Sequence, residues 1–259
     1  MTSSFDAERA ARHVVAAHDA RQPYRNLPAQ IAPQTMAEAY AAQEALARLL
    51  VAREGEVAGL KIAVATKVMQ EFMGIDRPLG GMIFKRRILR SPARLRLADY
   101  MNVVIEFELA VELGRDLPKS SAPFTAATVM PALAAVMPAF ELIEDRNADY
   151  KTVNALSLIC DNCWNAGIVL GTPVFLRPQS LSGLLGRLEI NGTEQHRGTT
   201  DDPLATLAWI ANLSAERDRP LRAGMVVITG SIIPTLAIKA GDQFVFRIEG
   251  LGAVGLTAA

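Results

Sequence analysis

The chain has 259 residues, of which 50% are apolar and 21% are charged, a composition typical of a globular protein with a sizeable core. Its 27 basic residues balance its 27 acidic residues, so the net charge gives no reason to expect a nucleic acid or an anionic membrane as partner. The longest apolar run, residues 130–140, is too short to span a bilayer. The polar N-terminus lacks the pattern of a secretory signal, and two cysteines cannot form a disulfide framework, so we expect a cytoplasmic protein.

The first part of the chain predicts two helices. Residues 5–21 are rich in Ala and Val with helical periodicity. A second helix begins at a capping box, Thr35 followed by Glu38 three positions later, and ends at Gly55. We therefore predict an N-terminal helical arm over residues 1–55 and a larger β-rich domain over residues 56–259.

Strands and short helices are mixed irregularly after residue 56. The pattern predicts strands at 60–64, 103–113, 140–143, 167–170, 225–229, 243–249 and 253–257. It predicts helices at 68–73, 125–136, 152–164 and 203–213, and a glycine- and proline-rich loop at 74–81. These elements lack the regular strand–helix–strand alternation of a doubly wound sheet, so the predicted class is α+β.

The strand at 103–113 carries the first candidate metal ligands. Alternation with a period of two directs Glu106, Glu108 and Glu112 to one face of the strand. The Cα atoms of Glu106 and Glu108 are then about 7 Å apart, so the two carboxylates can converge on one ion. Oxygen donors without paired Cys or His suit Mg²⁺, Mn²⁺ or Ca²⁺. A plain solvated strand face fits the same alternation and stays open as the alternative.

Two further charged residues stand in apolar segments. Glu141 lies within residues 137–143, where an ionised carboxylate is costly unless a partner such as a cation stabilises it. A water-facing side chain is the alternative for Glu141. Lys61 lies within the apolar run 58–65, and periodicity favours the wet face of the strand for it. The alternative for Lys61 is a proton carrier held near carboxylates.

Three other signals predict no site. The glycine pattern at 250–255 matches a dinucleotide-binding fingerprint without a helix to follow, so it predicts a turn or bulge between the last strands. Cys160 and Cys163 form a C-x-x-C motif without a second pair for zinc, which leaves a redox role as a minor alternative. The three histidines are interpreted as lone surface residues: His13, His18 and His196.

Several short motifs, taken in their order and spacing, carry a resemblance to one family. They are Gly59–Ile62, Thr66–Gln70, Ile75–Pro78, Glu106–Glu108, Leu113–Leu117, Pro138–Arg146, Asp161–Asn162, Thr229–Ser231 and Lys239–Asp242. Through these motifs the chain resembles the 2-oxopent-4-enoate (2-keto-4-pentenoate) hydratase and 4-oxalocrotonate decarboxylase branch of the fumarylacetoacetase superfamily. The resemblance covers residues 35–259 and includes the preceding residues more loosely.

The resemblance implies a fold and a set of site residues. The fold would be a mixed β-sandwich roll of the fumarylacetoacetase C-terminal type, preceded by the helical segment. Glu106, Glu108 and Glu141 would hold Mg²⁺ or Mn²⁺. Lys61 and Asp76 would act in catalysis, with Lys61 transferring a proton. Four residues would bind the substrate: Thr66, Lys67, Asn162 and Ser231.

The resemblance also implies a reaction. The protein would be a lyase (a hydro-lyase) that adds water to a 2-hydroxy-2,4-dienoate, the enol of a small 2-oxo-4-enoate, and gives a 4-hydroxy-2-oxo acid in the catabolism of aromatic or related compounds. The alternatives are a 4-oxalocrotonate-type decarboxylase and another 2-oxo acid lyase or hydrolase of the superfamily. A dioic substrate would need a cation for its second carboxylate, and the candidates are Lys67, Lys85, Arg86 and Arg87.

A non-enzymatic alternative stays open. The chain departs from the usual family pattern at Ala65 and Leu79, which is compatible with a catalytically impaired scaffold partner. The resemblance further implies a homo-oligomer, or an association with a homologous decarboxylase or hydratase.

Overall fold

The computed structural model describes residues 5–175 and 180–259. The strands are β1 (Val57–Ala63), β2 (Leu79–Phe84), β3 (Ile88–Arg90), β4 (Ala93–Leu95), β5 (Val103–Leu113), β6 (Leu133–Glu144), β7 (Asn165–Leu170), β8 (Leu185–Ile190), β9 (Thr193–Thr199), β10 (Val226–Ala237), β11 (Gln243–Ile248) and β12 (Gly252–Ala258). The α-helices are α1 (Ala7–Asp19), α2 (Met36–Glu54), α3 (Lys67–Phe72), α4 (Ala126–Val129), α5 (Ala155–Cys160) and α6 (Pro203–Glu216). Among them, no helix is long and apolar enough to cross a membrane.

The strands form two mixed sheets. The seven-stranded sheet has the order β2-β1-β10-β5-β6-β7-β3, and the five-stranded sheet has the order β4-β12-β11-β8-β9. In the larger sheet β5 and β6 are antiparallel, whereas β1 and β10 are parallel. The α+β class and the mixed β-sandwich that the resemblance implies are therefore confirmed.

Aromatic side chains hold the two sheets together. Phe107 on β5 and Phe140 on β6 are completely buried, and so is Phe246 on β11 of the other sheet. The ring centroid of Phe107 lies 5.7 Å from that of Phe246 and 5.7 Å from that of Phe140. Such edge-to-face pairs each contribute about 0.5–1.5 kcal/mol beyond the area they bury. The apolar face of β5 thus becomes the centre of the core, and its opposite face is left to the glutamates.

The two N-terminal helices occur where the sequence predicts them. Thr35 caps α2 by accepting a hydrogen bond from the Glu38 amide, and Gly55 ends the helix at φ +80°. Glu38 in turn accepts from the amide of Gln34. Buried side chains of α1 and α2 share one hydrophobic cluster with those of α5. The division into an arm (1–55) and a domain (56–259) stays a prediction.

A histidine of α1 contacts a buried ion pair of the predicted larger domain. Asp161, at the C-terminus of α5, is ion-paired with Arg146, and both side chains are buried. The Nε2 atom of His18 on α1 lies 2.6 Å from Asp161 Oδ1. The interpretation of His18 as a lone surface residue is therefore wrong, because α1 packs against α5. His13 and His196 are exposed, as predicted.

Several predicted boundaries are wrong. The predicted helix at 125–136 stops at Val129, and Leu133 already begins β6 because the chain there pairs with β5. The predicted loop at 74–81 ends earlier, since β2 begins at Leu79 and pairs with β1. The predicted helix at 152–164 is shortened to α5. Five short strands were not predicted: β2, β3, β4, β8 and β9.

The glycine pattern near the end of the chain makes a turn, as predicted. Gly250 and Gly252 have φ angles of +76° and +87° and join β11 to β12. Only glycine adopts such angles without strain. The turn therefore explains these two glycines of the pattern without a dinucleotide-binding role.

We expect Asp161→Ala to lower the free energy of unfolding by about 3–5 kcal/mol, because it leaves the buried Arg146 guanidinium without its carboxylate. Urea unfolding at neutral pH measures the change. The matched control is Asp19→Ala, which removes an exposed ion pair with Arg53 and should change stability by less than about 0.5 kcal/mol. Equal effects of the two substitutions would contradict a structural role for the Asp161 pair.

Candidate metal centre and its cleft

Three carboxylates converge on the larger sheet. Glu106 on β5 is paired directly with Glu141 on β6, and Glu108 follows two positions along β5. One oxygen from each carboxylate lies within 4.8 Å of the others. Glu108 and Glu141 have no exposed surface, and Glu106 is half-buried. The alternatives in which Glu108 and Glu141 face water are therefore wrong.

Each carboxylate receives at least one hydrogen bond that fixes its position. The amide of Gly230 donates to Glu108 Oε2 at 2.7 Å, and the hydroxyl of Thr235 donates to Glu106 Oε1 at 2.6 Å. The side-chain amide of Asn165 donates to Glu141 Oε1 at 2.8 Å. The other oxygens of Glu108 and Glu141 are buried without a hydrogen-bond partner among residues 5–175 and 180–259. These two oxygens are open to a further electropositive partner.

Lys61 belongs to the same cluster. Its Nζ atom lies 3.0 Å from Glu141 Oε1, and its side chain is 3% exposed. The expectation that Lys61 lies on a wet strand face is therefore wrong, because β1 is an interior strand of the sheet, between β2 and β10. Gly81 on β2 makes room for the lysine, since a Cβ atom there would lie 2.9 Å from Lys61 Cγ.

The electrostatics of the cluster favour a counter-charge. Burial raises the pKa of Glu108 well above its usual range, and the charges of Glu141 and Glu106 raise it further. Burial also raises the pKa of Glu141 to about 7, although Lys61 opposes this. For Lys61, burial would lower the pKa, but the charges of Glu141 and Glu106 outweigh burial and raise it. One ammonium therefore stabilises only part of the charge of three carboxylates.

An irregularity in β10 positions the donor to Glu108. The pairing of β10 with β5 shifts register between Ile228 and Ser231. Gly230 lies within this shift at φ +104°, an angle that favours glycine, and its amide points at Glu108. The Ser231 hydroxyl accepts from the Phe107 amide at 3.1 Å and donates to the Ile233 carbonyl at 2.6 Å.

A cleft of about 1130 Å³ opens beside the cluster. Lys61 and Glu106 line it, and so do three of the predicted substrate-binding residues: Thr66, Lys67 and Ser231. Thr66 caps α3 at the cleft through the Met69 amide. Lys67 Nζ donates to Gln70 Oε1 at 3.2 Å. The structure therefore brings Lys61, Glu106 and three substrate-binding candidates together at one cleft, beside the buried Glu108 and Glu141.

Two predicted site residues lie elsewhere. Asp76 is 81% exposed, pairs with its neighbour Arg77, and lies outside the lining that the described residues give this cleft. Asn162 is buried, and its side-chain amide bonds to both the amide and the carbonyl of Met82. Asn162 therefore pairs with the backbone of β2 and likewise lies outside the described lining of the cleft.

A left-handed turn positions Asn165, a residue of the carboxylate cluster that was not predicted. Asn162, Cys163 and Trp164 have φ angles of +51°, +49° and +58°, a conformation that costs about 1–3 kcal/mol per residue. The turn places Asn165 at the start of β7, where it reaches Glu141. The predicted helix at 152–164 stopped one position short of Asn165, and nothing in the local pattern distinguishes this asparagine.

The two cysteines form no reactive pair. Both are buried free thiols. Burial, together with neighbouring negative charge, raises the pKa of Cys160 and of Cys163 to about 12. Because the thiolate is the reactive form, the burial of both thiols and their raised pKa give no support to the redox alternative.

Known proteins are similar to this chain in sequence and in fold. The chain matches the family described as fumarylacetoacetate (FAA) hydrolase C-terminal over residues 63–257. It is 32% identical over 224 residues to a 2-keto-4-pentenoate hydratase of Burkholderia vietnamiensis, covering 85% of this chain and 84% of that one. It is 29% identical over 260 residues to 2-keto-4-pentenoate hydratase 2 of Dechloromonas aromatica, covering 98% of each. The solved 4-oxalocrotonate decarboxylase from Pseudomonas putida G7, complexed with magnesium and adipate, has a TM-score of 0.89 at 24% identity, covering 98% of this chain and 97% of that one.

Proposed function

Because the chain belongs to the fumarylacetoacetate (FAA) hydrolase C-terminal family, we propose that it is a divalent-metal-dependent hydratase of 2-hydroxy-2,4-dienoates. The family is enzymatic, and the hydratases that resemble this chain are lyases. One observation carries the proposal: three convergent carboxylates meet a buried lysine at the wall of a large cleft. Burying Lys61, Glu108 and Glu141 together beside the half-buried Glu106 is costly, and a scaffold protein would have no need of it.

The residues present fit a hard divalent cation, and we propose Mg²⁺ or Mn²⁺ held by Glu106, Glu108 and Glu141. The cluster offers only carboxylate oxygens, which suit these ions. The buried, unpartnered oxygens of Glu108 and Glu141 among the described residues support the same ligand set. When bound, such an ion would polarise the carboxylate and 2-oxygen of the substrate and stabilise the enolate charge.

Lys61 is proposed to carry the proton. Ketonisation moves the proton of the 2-hydroxyl group to C5 and leaves a conjugated 2-oxo-3-enoate. Water then adds, with its hydroxyl at C4 and its proton at C3, to give the 4-hydroxy-2-oxo acid. The Lys61 ammonium lies at the cleft wall, 3.0 Å from Glu141, where it can exchange a proton with a bound enol.

Three other cleft residues are proposed to hold the substrate carboxylate: Thr66, Lys67 and Ser231. Asp76 and Asn162 are not part of this proposal, because their side chains lie outside the described lining of the cleft. The resemblance extends the proposal to a homo-oligomer that acts on a small 2-oxo acid in the catabolism of aromatic compounds.

The test of the proposed reaction is turnover of 2-hydroxypenta-2,4-dienoate with Mg²⁺. We expect the dienol absorbance to fall, with formation of 4-hydroxy-2-oxopentanoate. A parallel assay with 2-hydroxyhexa-2,4-dienedioate measures CO₂, and its release would favour the decarboxylase alternative. Absence of turnover on both substrates, together with no effect of Mg²⁺ on the melting temperature, would favour a scaffold protein.

The substitutions Glu106→Gln and Glu108→Gln are expected to abolish turnover and the rise in melting temperature with Mg²⁺. A ligand that binds only the native state stabilises it by about 2.7 kcal/mol at 100 times its Kd, and each substitution removes a charged oxygen donor. Differential scanning calorimetry with and without Mg²⁺ measures this. Glu112→Gln, on the same strand and face, is the matched control and should behave as wild type. Full activity of Glu108→Gln after chelator treatment would refute the metal site.

For Lys61→Met we expect a fall in kcat of about 10²–10⁴-fold, the usual contribution of a proton-transferring group, while Mg²⁺ still raises the melting temperature. The retained metal response shows that the variant is folded. Lys85→Met removes an exposed lysine and should leave kcat unchanged. A kcat within twofold of wild type for Lys61→Met would exclude Lys61 as the proton carrier.

A further inference from the structure

We propose that the cleft selects 2-hydroxy-2,4-dienoates that carry an uncharged apolar group at C5, and that it disfavours substrates with a second carboxylate there. This inference rests on the proposed function and adds the class of substrate. It is carried by the charges and the apolar walls of the cleft away from Lys61 and Glu106.

The charged groups of the cleft oppose a second carboxylate. Apart from Lys61 and Glu106, the described lining holds one cation, Lys67, and three acids, Asp145, Asp201 and Asp202. Lys67 donates to Gln70 and, under the proposed function, meets the first carboxylate of the substrate, so it is not free for a second one. A dioate would therefore bring its second negative charge into surroundings that are themselves negative, and such charge pairs suppress binding.

The other three cations that could have met a second carboxylate lie outside the described lining of the cleft. The Arg86 guanidinium donates to the backbone carbonyls of Ala52 and Arg53 at the end of α2. Arg87 forms a two-bonded ion pair with Glu54. Lys85 is exposed, and the part of the chain that the structure describes places it outside the cleft lining. Of the four candidates from the sequence, only Lys67 lies at the cleft.

The walls of the cleft are apolar and the space is large. Ile143, Leu158, Trp164 and Trp209 line it, together with Met69 and Phe72 of α3. Met69 and Phe72 are 40% and 58% exposed, so an apolar group beside them would remove their surface from water. Pockets of about 300–1,000 Å³ hold drug-sized ligands, and this cleft of about 1130 Å³ exceeds what a five-carbon acid fills.

The experiment compares kcat/KM for three substrates with Mg²⁺: 2-hydroxypenta-2,4-dienoate, 2-hydroxyocta-2,4-dienoate, which has a propyl group at C5, and 2-hydroxyhexa-2,4-dienedioate. We expect the propyl substrate to match or exceed the five-carbon parent and to exceed the dioate by about tenfold or more, a typical discrimination by an apolar pocket. Equal values for the propyl substrate and the dioate, or a preference for the dioate, would overturn the inference.

Variants of α3 test whether its side chains contact the apolar group at C5. Phe72→Ser should lower kcat/KM for the propyl substrate about tenfold relative to the five-carbon parent. The matched control is Phe175→Ser, since Phe175 is also an exposed phenylalanine, at 72%, and lies outside the described lining of the cleft. Met69→Arg should raise kcat/KM for the dioate, because it places a cation on the wall. Identical substrate preferences of Phe72→Ser and Phe175→Ser would overturn the assignment of the apolar group to this wall.

A binding measurement separates this inference from the proposed reaction. Calorimetry in the presence of Mg²⁺ measures the affinities of 2-oxoheptanoate and 2-oxohexanedioate. Neither compound has a carbon–carbon double bond to hydrate, so the comparison does not depend on turnover. About tenfold tighter binding of the monoacid supports the inference even where hydration fails, whereas tighter binding of the dioate overturns it even where hydration succeeds.

Discussion

The convergence of three carboxylates, two of them fully buried, beside one buried ammonium is the constraint on which this site depends. Glu106, Glu108 and Glu141 share a small volume in which like charges repel and water is largely excluded. Lys61 stabilises part of that charge, and hydrogen bonds from Gly230, Thr235 and Asn165 stabilise more. The divalent cation that we propose would stabilise the remaining charge, and it links the fold to the proposed chemistry.

The sheet meets this constraint through its register. Direct pairing of β5 with β6 sets Glu106 opposite Glu141, an arrangement that is unfavourable for two like charges unless a counter-charge lies between them. The irregular pairing of β10 releases the Gly230 amide from the strand ladder to reach Glu108. On the reverse face of β5, Phe107 packs against Phe246 of the second sheet. The same strand therefore anchors the core and carries the polar cluster.

Local sequence patterns predicted the helices at the N-terminus, the long strand β5 and its two faces, because capping residues and period-two alternation act over a few residues. They failed where pairing with a distant segment decides the structure. The apolar run 130–140 fits a helix or a buried strand equally well, and only β5 selects the strand. The polar strand β9 has no apolar alternation and is ordered by pairing with β8.

The sequence by itself determined the family and the class of fold, because the order of motifs can be identified from the chain alone. It also identified the candidate site residues by their chemical type: Glu106, Glu108, Glu141 and Lys61. Tertiary structure decided that Lys61 is buried against Glu141 and that Asn165 joins the cluster, while Asp76 and Asn162 lie apart from the cleft. It also left the cleft apolar and poor in cations. The physical reason is that burial and charge pairing are properties of neighbours in space, which residues far apart in the chain supply together.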